Sequence, residues 1–344
     1  MKIIYVKRRI IDTFWRKVPK MLRQWYYFWG REGFFRASLH YQNEITEIPF
    51  SKLKRKPSDW ISKYDVIVFD FLFNKQKGET NFAALREGLK QLKKIPTDVP
   101  RVLLVANDAA FNLPDNEIMD YFDIVFKREP FKDRSKYSLS DKNVEKILPT
   151  MISCHFVPAS RLNFKKIQPA ESGFSEPTGE FEHDVSFIGT ETSDERIKVV
   201  KTLLESDYNF FGGLQEKRSE LPEKLKAKRL NKKDYIRTIR NSKINLALEG
   251  CGEFTYRHLE LWWACAFMLC SPSINELELP LKVEDGVHYV TYKSKDDLLD
   301  KIGYYLAHPE ERKQIALNGR RAFEEGYNFE KHGAYINRQL KALT

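Results

Sequence analysis

Cysteine is scarce in this chain of 344 residues: the four present, Cys154, Cys251, Cys265 and Cys270, follow neither a metal-ligand spacing nor a disulfide framework. The apolar surroundings of Cys265 and Cys270 predict buried, reduced thiols, which fits a reducing cytoplasm. No cluster of His, Cys and carboxylates stands ready for a metal, and no internal repeat is evident. No apolar run is long enough to span a bilayer, and MKIIYVKRR reads as too short and too charged for a signal peptide. What is present is an apolar content of 42%, enough for packed cores, in a chain longer than single cores usually grow. Two domains are therefore expected.

The formal net charge of +10 is unevenly spread. Between Lys7 and Arg36 nine basic residues face only Asp12 and Glu32, interleaved with Phe14, Trp15, Trp25, Tyr26, Tyr27, Phe28, Trp29, Phe34 and Phe35. Such a mixture suits an anionic membrane interface or glycan. It would also suit single-stranded nucleic acid, but no nucleic-acid-binding motif accompanies it, so nucleic acid is not expected as a partner. The competing reading is an aromatic core under a solvated charged face, since Pro19 interrupts any continuous amphipathic helix.

The stretch from Lys243 to Pro272, KINLALEGCGEFTYRHLELWWACAFMLCSP, carries the strongest pattern. Ile244, Leu246 and Leu248 alternate as in a strand, Gly250 and Gly252 break it, Leu259, Trp262 and Trp263 recur at helical spacing, and AFMLC closes as a buried strand. Arg257 and Glu260, three apart, are expected to project together from the first turns, away from the apolar face. Arg257 would stand at a helix N-terminus that already favours an anion, and its planar fork suits phosphate. Glu260, an acceptor-only side chain, suits the vicinal hydroxyls of a ribose. Diphosphate plus ribose describes a nucleotide sugar. The plainer alternative is an exposed Arg/Glu helix pair in an ordinary βαβ crossover.

TYRHLELWWACAFMLC resembles the R-x-x-E segment and following strand in the nucleotide-binding half of GT-B glycosyltransferases, notably the spore-maturation-type and exostosin-type groups. The later run LKVEDGVHYVTYKSKDDLLDKIGYYLAHPEERKQIALNGRRAFEEGYNF is similar to the end of those groups and of the capsule-associated, protein O-glucosyltransferase-like group. The likeness covers the C-terminal half from about Val185. It departs from the common retaining pattern, E-x7-E, because Glu253 and Glu260 are one residue too close, and Cys265-Ala266 stands where Ala-Gly is frequent. The resemblance implies an α/β protein of the GT-B class, with two Rossmann-like domains whose parallel sheets face a cleft. Its expected divisions are an acceptor-side domain over 1–165, a linker over 166–184, a nucleotide-sugar domain over 185–326 and a helix over 327–344 crossing back to the first domain. It further implies donor contacts from Gly189, Thr190, Glu253, Tyr256, Arg257, Glu260 and Arg229, the last bordering the nucleobase.

Upstream, KIIYV, DVIVF, RVLLVA and DIVFK read as strands alternating with helical segments such as NFAALREGLKQLKK and the capped PDNEIMDYF, the pattern of a parallel sheet with ligands at its carboxyl edge. Asp70 and Asp108 fall at such strand ends. Transfer to a hydroxyl needs a base, so Asp108 in NDAAFN is the first candidate, Asp70 the second and His40 the third; an Asp after a strand is also a common turn residue or N-cap. DVSFIGT followed by Ser193 reads as a strand, a turn and a capped helix. No D-x-D pair is available to hold a metal on a donor diphosphate, so neutralisation by Arg257 and helix N-termini is expected, with no metal cofactor.

The function expected is transfer of a sugar from a nucleotide-sugar donor to a hydroxyl of a glycan or lipid-linked acceptor. The protein would be cytoplasmic, with residues 7–36 a possible peripheral contact at the inner membrane face. A nucleotide-sugar epimerase or hydrolase on the same fold and a non-catalytic anionic-polymer binder are the alternatives.

Overall fold

A computed structural model describes residues 1–7, 33–71, 86, 89–90, 98–107, 109–154, 156, 181–216 and 220–344. Two parallel sheets organise them. The first orders its strands β2-β1-β3-β4-β5-β6, formed by β1 (Lys2–Lys7), β2 (Glu44–Pro49), β3 (Val66–Phe71), β4 (Arg101–Val105), β5 (Ile124–Arg128) and β6 (Ile147–Thr150). The second runs β11-β10-β9-β7-β8, from β7 (His183–Thr190), β8 (Phe210–Gln215), β9 (Ser242–Ala247), β10 (Met268–Cys270) and β11 (Val290–Thr291). In both, the chain leaves its first strand toward one side and then crosses to the other. The crevice between first and third strands, β1/β3 and β7/β9, is therefore a topological switch point at the carboxyl edge, where such sheets bind ligands.

The apolar runs account for the central strands. Along β1, Ile3 and Tyr5 join the core on one face and Ile4 and Val6 the core on the other; Val66 and Val68 alternate with Ile67 and Phe69 along β3 in the same way. Burial on both faces is what a parallel sheet requires. The edge strands β2 and β6 escape the sequence reading. In β2, E-I-T-E-I-P, only Ile48 is fully buried, and β6 carries Pro149, whose missing N–H is tolerated at an edge. The expected helix NFAALREGLKQLKK lies largely outside the described residues, as does most of the expected linker.

The helices that matter are α1 (Gly33–His40), α2 (Asp194–Leu204), α3 (Lys232–Arg240), α4 (Tyr256–Trp263), α5 (Lys295–Ala307), α6 (Pro309–Gly326) and α7 (Phe329–Lys341). Ser193, Asn231, Ser294 and Asn328 cap four of them by accepting an N–H three residues on. α7 packs on α1 beneath the first sheet. Its Gly333 has no room for a side chain, since a Cβ there would lie 2.5 Å from the Ser38 carbonyl oxygen. Ile336 and Leu340 enter the core shared by Tyr5, Val68 and Leu104, each contributing about 2–3 kcal/mol by burial. Phe34 stacks on Tyr327 with ring centroids 4.4 Å apart and on His332 at 4.7 Å.

These contacts correct part of the expected membrane segment. Phe34, Phe35 and Arg36 are buried core, and residues 8–32 lie outside the described residues. Among the described residues no helix is long and apolar enough to cross a membrane.

Two buried groups give testable consequences. At Gly212, φ is +135° and a Cβ would fall 1.8 Å from the Phe187 carbonyl oxygen, so Gly212→Ala should cost roughly 2–4 kcal/mol in urea unfolding. Gly286→Ala, where φ is +78° with open space around it, should cost only about 1 kcal/mol. His332 lies buried with Nε2 3.0 Å from Thr150 Oγ1, and burial takes its pKa from 6.5 to about 3. Between those values the unfolded chain holds a proton the fold refuses, so stability falls as pH drops below about 6.5, by up to ~1.4 kcal/mol per pH unit. Buried Asp70 and Glu129, whose carboxyls are pushed upward by burial, oppose this at acid pH, so the comparison is between wild type and His332→Gln. Below about pH 6.5 the wild type should lose stability relative to the variant in denaturant titrations, by up to ~1.4 kcal/mol per pH unit; a difference independent of pH would mean that His332 takes up its proton as readily in the fold as in the unfolded chain.

Candidate functional site

The second switch point is assembled from β7, β9 and the first turns of α2 and α4. Arg196, in the first turn of α2, donates through Nη1 to the Thr190 carbonyl at 2.8 Å, through Nη2 to Leu248 at 2.9 Å and through Nε to Glu249 at 2.7 Å. One guanidinium thus ties the ends of the two strands together. Gly250 must be small for this, because a Cβ there would lie 2.7 Å from Arg196 Nη2.

Arg257 enters from α4 and donates to the Ile188 carbonyl. Its guanidinium carbon lies 5.0 Å from the Phe187 ring centroid and 5.1 Å from that of Tyr235, while Arg196 stands 5.5 Å from the same Phe187 ring. Glu260 accepts the Tyr235 hydroxyl at 2.8 Å. Arg257 is 8% exposed and Glu260 7%, which corrects the expectation that they project away from the apolar side. The reason is Tyr235: α3 lays it over both, so that an R-x-x-E pair becomes the wall of a crevice. Burial pushes the Tyr235 hydroxyl well above its ordinary pKa, keeping it a neutral donor.

Carboxylates stand nearby, Glu260 under Tyr235 and Glu195 and Glu249 near Arg196, but none lies within ion-pair distance of either arginine. Burial, then the neighbouring Arg257, lowers Arg196 to about 10, so it remains a cation at neutral pH. Among the described residues neither arginine forms an ion pair with a carboxylate. Glu195, close in sequence, instead accepts the hydroxyls of Tyr292 and Ser271. His258 is fully buried; its Nδ1 accepts the Thr255 N–H at 3.1 Å, which fixes the proton on Nε2, and that Nε2 has no partner. Burial, with both arginines near, holds His258 down to about 3 and uncharged. Two buried cations at the N-terminus of α4 without a counter-carboxylate make a site for an anion, since burying charge unpaired is costly.

The other expected residues are placed less uniformly. Gly189 and Thr190 end β7 beside Arg196, and a Cβ on Gly189 would meet the Phe187 ring at 2.6 Å. Tyr256 is half-buried at the start of α4, and Arg229 is exposed on the loop before α3. Glu253, expected among the donor contacts, reaches the other domain: its Oε2 accepts the Ala110 N–H at 2.8 Å. Asp108 lies outside the described residues, between the buried Asn107 and Ala109. Asp70 is 5% exposed, on the face of β3 covered by α1, and accepts the Tyr5 hydroxyl at 2.6 Å; Arg36 lies over the Tyr5 ring at 5.1 Å and pairs with Glu47 at 3.1 Å. The other Asp70 oxygen, Oδ1, is buried without a hydrogen-bond partner among the described residues, and burial raises the pKa of the carboxyl. His40 lies 3.5 Å from Glu47 in the same network.

Sequence reasoning passed over Phe187, Tyr235 and His258 and gave Arg196 no role. One signal existed: an arginine in a helix's first turn, where the macrodipole disfavours a cation, calls for a reason.

Comparison with known proteins bears on this geometry. Residues 195–337 match the model of a glycosyl transferase-like family. In structure the chain is similar to HepE of Anabaena, solved with UDP and glucose, at 9% identity and a TM-score of 0.53, covering 99% of this chain and 100% of that one. The T4 phage glucosyltransferase BGT with UDP-glucose gives 12% identity and 0.52, covering 99% of each chain. An alpha-glucosyltransferase, AGT, bound to UDP and a 13-mer DNA gives 12% and 0.53, covering 100% of this chain and 99% of that one. The fold is GT-B. These matches do not single out the narrower spore-maturation, exostosin or capsule-associated groups, and no curated protein sequence matches the chain.

Arg196 donates to three strand-end carbonyls, of which Thr190 and Glu249 otherwise receive only the longer hydroxyl contacts of Thr192 at 3.3 Å and Ser193 at 3.2 Å, so Arg196→Met should destabilise the protein by about 2–4 kcal/mol in chemical denaturation. A loss under ~1 kcal/mol would show that the strand ends hold without it.

Proposed function

We propose that the protein is a glycosyltransferase that takes a nucleotide-sugar donor in the β7/β9 crevice and transfers the sugar to a hydroxyl of a glycan or glycolipid acceptor held by the first domain. The observation that carries this reading is the pair of buried guanidiniums without counter-carboxylates at the switch point. They fit a diphosphate, the one part common to all nucleotide sugars. UDP-glucose, with which HepE and T4 BGT have been solved, is the first donor to try.

In this reading Arg257 meets the diphosphate, and Arg196 keeps the strand ends and the local positive field in place. Charge grows on the leaving diphosphate as the glycosidic bond breaks, so a pre-placed cation stabilises the transition state more than the ground state. Gly189 and Thr190 allow the phosphates close backbone approach, Glu260, oriented by Tyr235, takes the ribose hydroxyls, Tyr256 flanks the site, and Arg229 borders the base. Asp108 removes the acceptor proton. In this reading the arginines neutralise the diphosphate in place of a metal.

The test is melting temperature and turnover. UDP at about 100 times its Kd should add ~2.7 kcal/mol of stability, undiminished by EDTA and absent in Arg257→Ala. Release of UDP from UDP-glucose should require or be accelerated by an acceptor, with kcat/KM down roughly 100- to 1000-fold in that variant. Undiminished binding of UDP by Arg257→Ala would remove the diphosphate from this crevice, and turnover indifferent to any acceptor would favour a hydrolase or epimerase.

A further inference from the structure

Phe111 is 66% exposed, more than any other large apolar side chain among the described residues. A benzyl group left in water forgoes about 1.5–3 kcal/mol that burial would supply, so its position calls for a reason. Local looseness does not provide one. The loop after β4 that carries it is fixed at several points. Ala110 donates its N–H to Glu253 at 2.8 Å, and its carbonyl accepts the Tyr137 hydroxyl at 3.1 Å. Tyr137 is itself held, accepting the Phe131 N–H at 2.9 Å. Asn107 Nδ2 donates to the Asn112 carbonyl at 3.0 Å, and Leu113 N–H to the carbonyl of Phe111 itself at 3.0 Å. The backbone on both sides of Phe111 is pinned while its ring is displayed.

The display is also in a particular place. Ala110 touches Glu253, two residues before the cap of α4, so Phe111 is one residue from the point where the first domain meets the donor loop of the second. An exposed aromatic ring carried on a fixed backbone is a surface on which the C–H face of a pyranose rests, the sugar's hydroxyls staying free for polar contacts.

We propose that Phe111 is the acceptor platform: its ring takes the apolar face of a sugar residue of the acceptor and sets that residue beside the donor crevice. This rests on the glycosyltransferase reading and narrows its acceptor to a saccharide, whether free or lipid-linked.

Two measurements separate the inference from that reading. The first is saturation-transfer NMR with methyl and octyl α- and β-glycosides of common hexoses, on wild type, Phe111→Ala and Phe111→Trp, independent of any donor. Glycoside signals should appear with wild type and Phe111→Trp and be lost with Phe111→Ala. The second is UDP release from UDP-glucose with the same glycosides. Phe111→Ala should keep the UDP-induced melting shift and the release in water alone, while its half-saturating glycoside concentration rises at least tenfold and Phe111→Trp recovers most of the loss. Equal glycoside binding by wild type and Phe111→Ala, or no glycoside bound by wild type, overturns the proposal, as does stimulation by single-stranded oligonucleotide in place of any glycoside. Glycoside binding that depends on Phe111 in a protein that neither binds UDP nor releases it would sustain the platform and sink the donor site.

Discussion

The second domain depends on a cationic arrangement that would be unfavourable without its context: two guanidiniums, Arg196 and Arg257, lie against one aromatic ring, that of Phe187. Like charges repel, and burial removes the water that would soften the repulsion. The fold keeps them together by giving their N–H groups carbonyl partners at the open ends of β7 and β9, namely Ile188, Thr190, Leu248 and Glu249. A parallel sheet leaves such carbonyls unpaired at its carboxyl edge, so cation and strand end satisfy each other. What that solution leaves over is two buried guanidiniums held by carbonyls rather than by ion pairs, which is the feature the proposed donor site rests on.

From this follow the small residues nearby. Gly189 and Gly250 are crowded by Phe187 and Arg196, and Gly212, at positive φ, is crowded by the Phe187 carbonyl one strand away. Two glycines, Gly189 and Gly212, and two arginines thus converge on a single phenylalanine, with Gly250 making room for Arg196. α4 is then set by its own cap, with the His258 imidazole accepting the Thr255 N–H, and by Trp262, whose indole donates to the His288 carbonyl at 3.0 Å over Gly319. The helix that carries Arg257 is held at both ends, which limits how far that guanidinium can drift from the strand edge.

Much of this architecture was legible in the sequence because it rests on short-range signals. Short apolar runs marked β1, β3, β4, β5 and β7, alternation marked β9, and Ser193 marked the start of α2. Local periodicity identified α4 and placed Arg257 and Glu260 on one part of it. It could not tell that they would be covered, because the cover is Tyr235, some twenty residues earlier, brought over by the packing of α3 on the sheet. Asp70 misled for a related reason. A carboxylate near a strand's end reads as a cleft residue, but the pleat turned it toward α1, where Tyr5 and Arg36 meet it. Edge strands such as β2 were lost because half-exposed strands carry half the pattern. Glu253 is the most instructive case, since its role is a hydrogen bond to a residue 143 positions away, which no window on the sequence contains.

That bond bears on how the two halves act together. The domains also meet where Arg128 donates to the Phe254 carbonyl at 3.1 Å, and where Glu278 and Lys132 donate backbone N–H groups to Pro130 and Glu276. Glu129, at the end of β5 among these contacts, is held at φ 41°, a left-handed conformation costly for a side chain of its size, with its carboxylate accepting the Ile152 N–H at 2.6 Å. Backbone held in this way persists only where the surroundings fix it from several sides. Residues 253 and 254 thus form a bridge: one side holds the loop of Ala110 and the end of β5, and the other leads directly into the cap of α4 and Arg257. Under the proposed function, any coupling between an anion at Arg257 and the placement of the loop bearing Phe111 would run through this short segment, and it would be the same free energy in both directions.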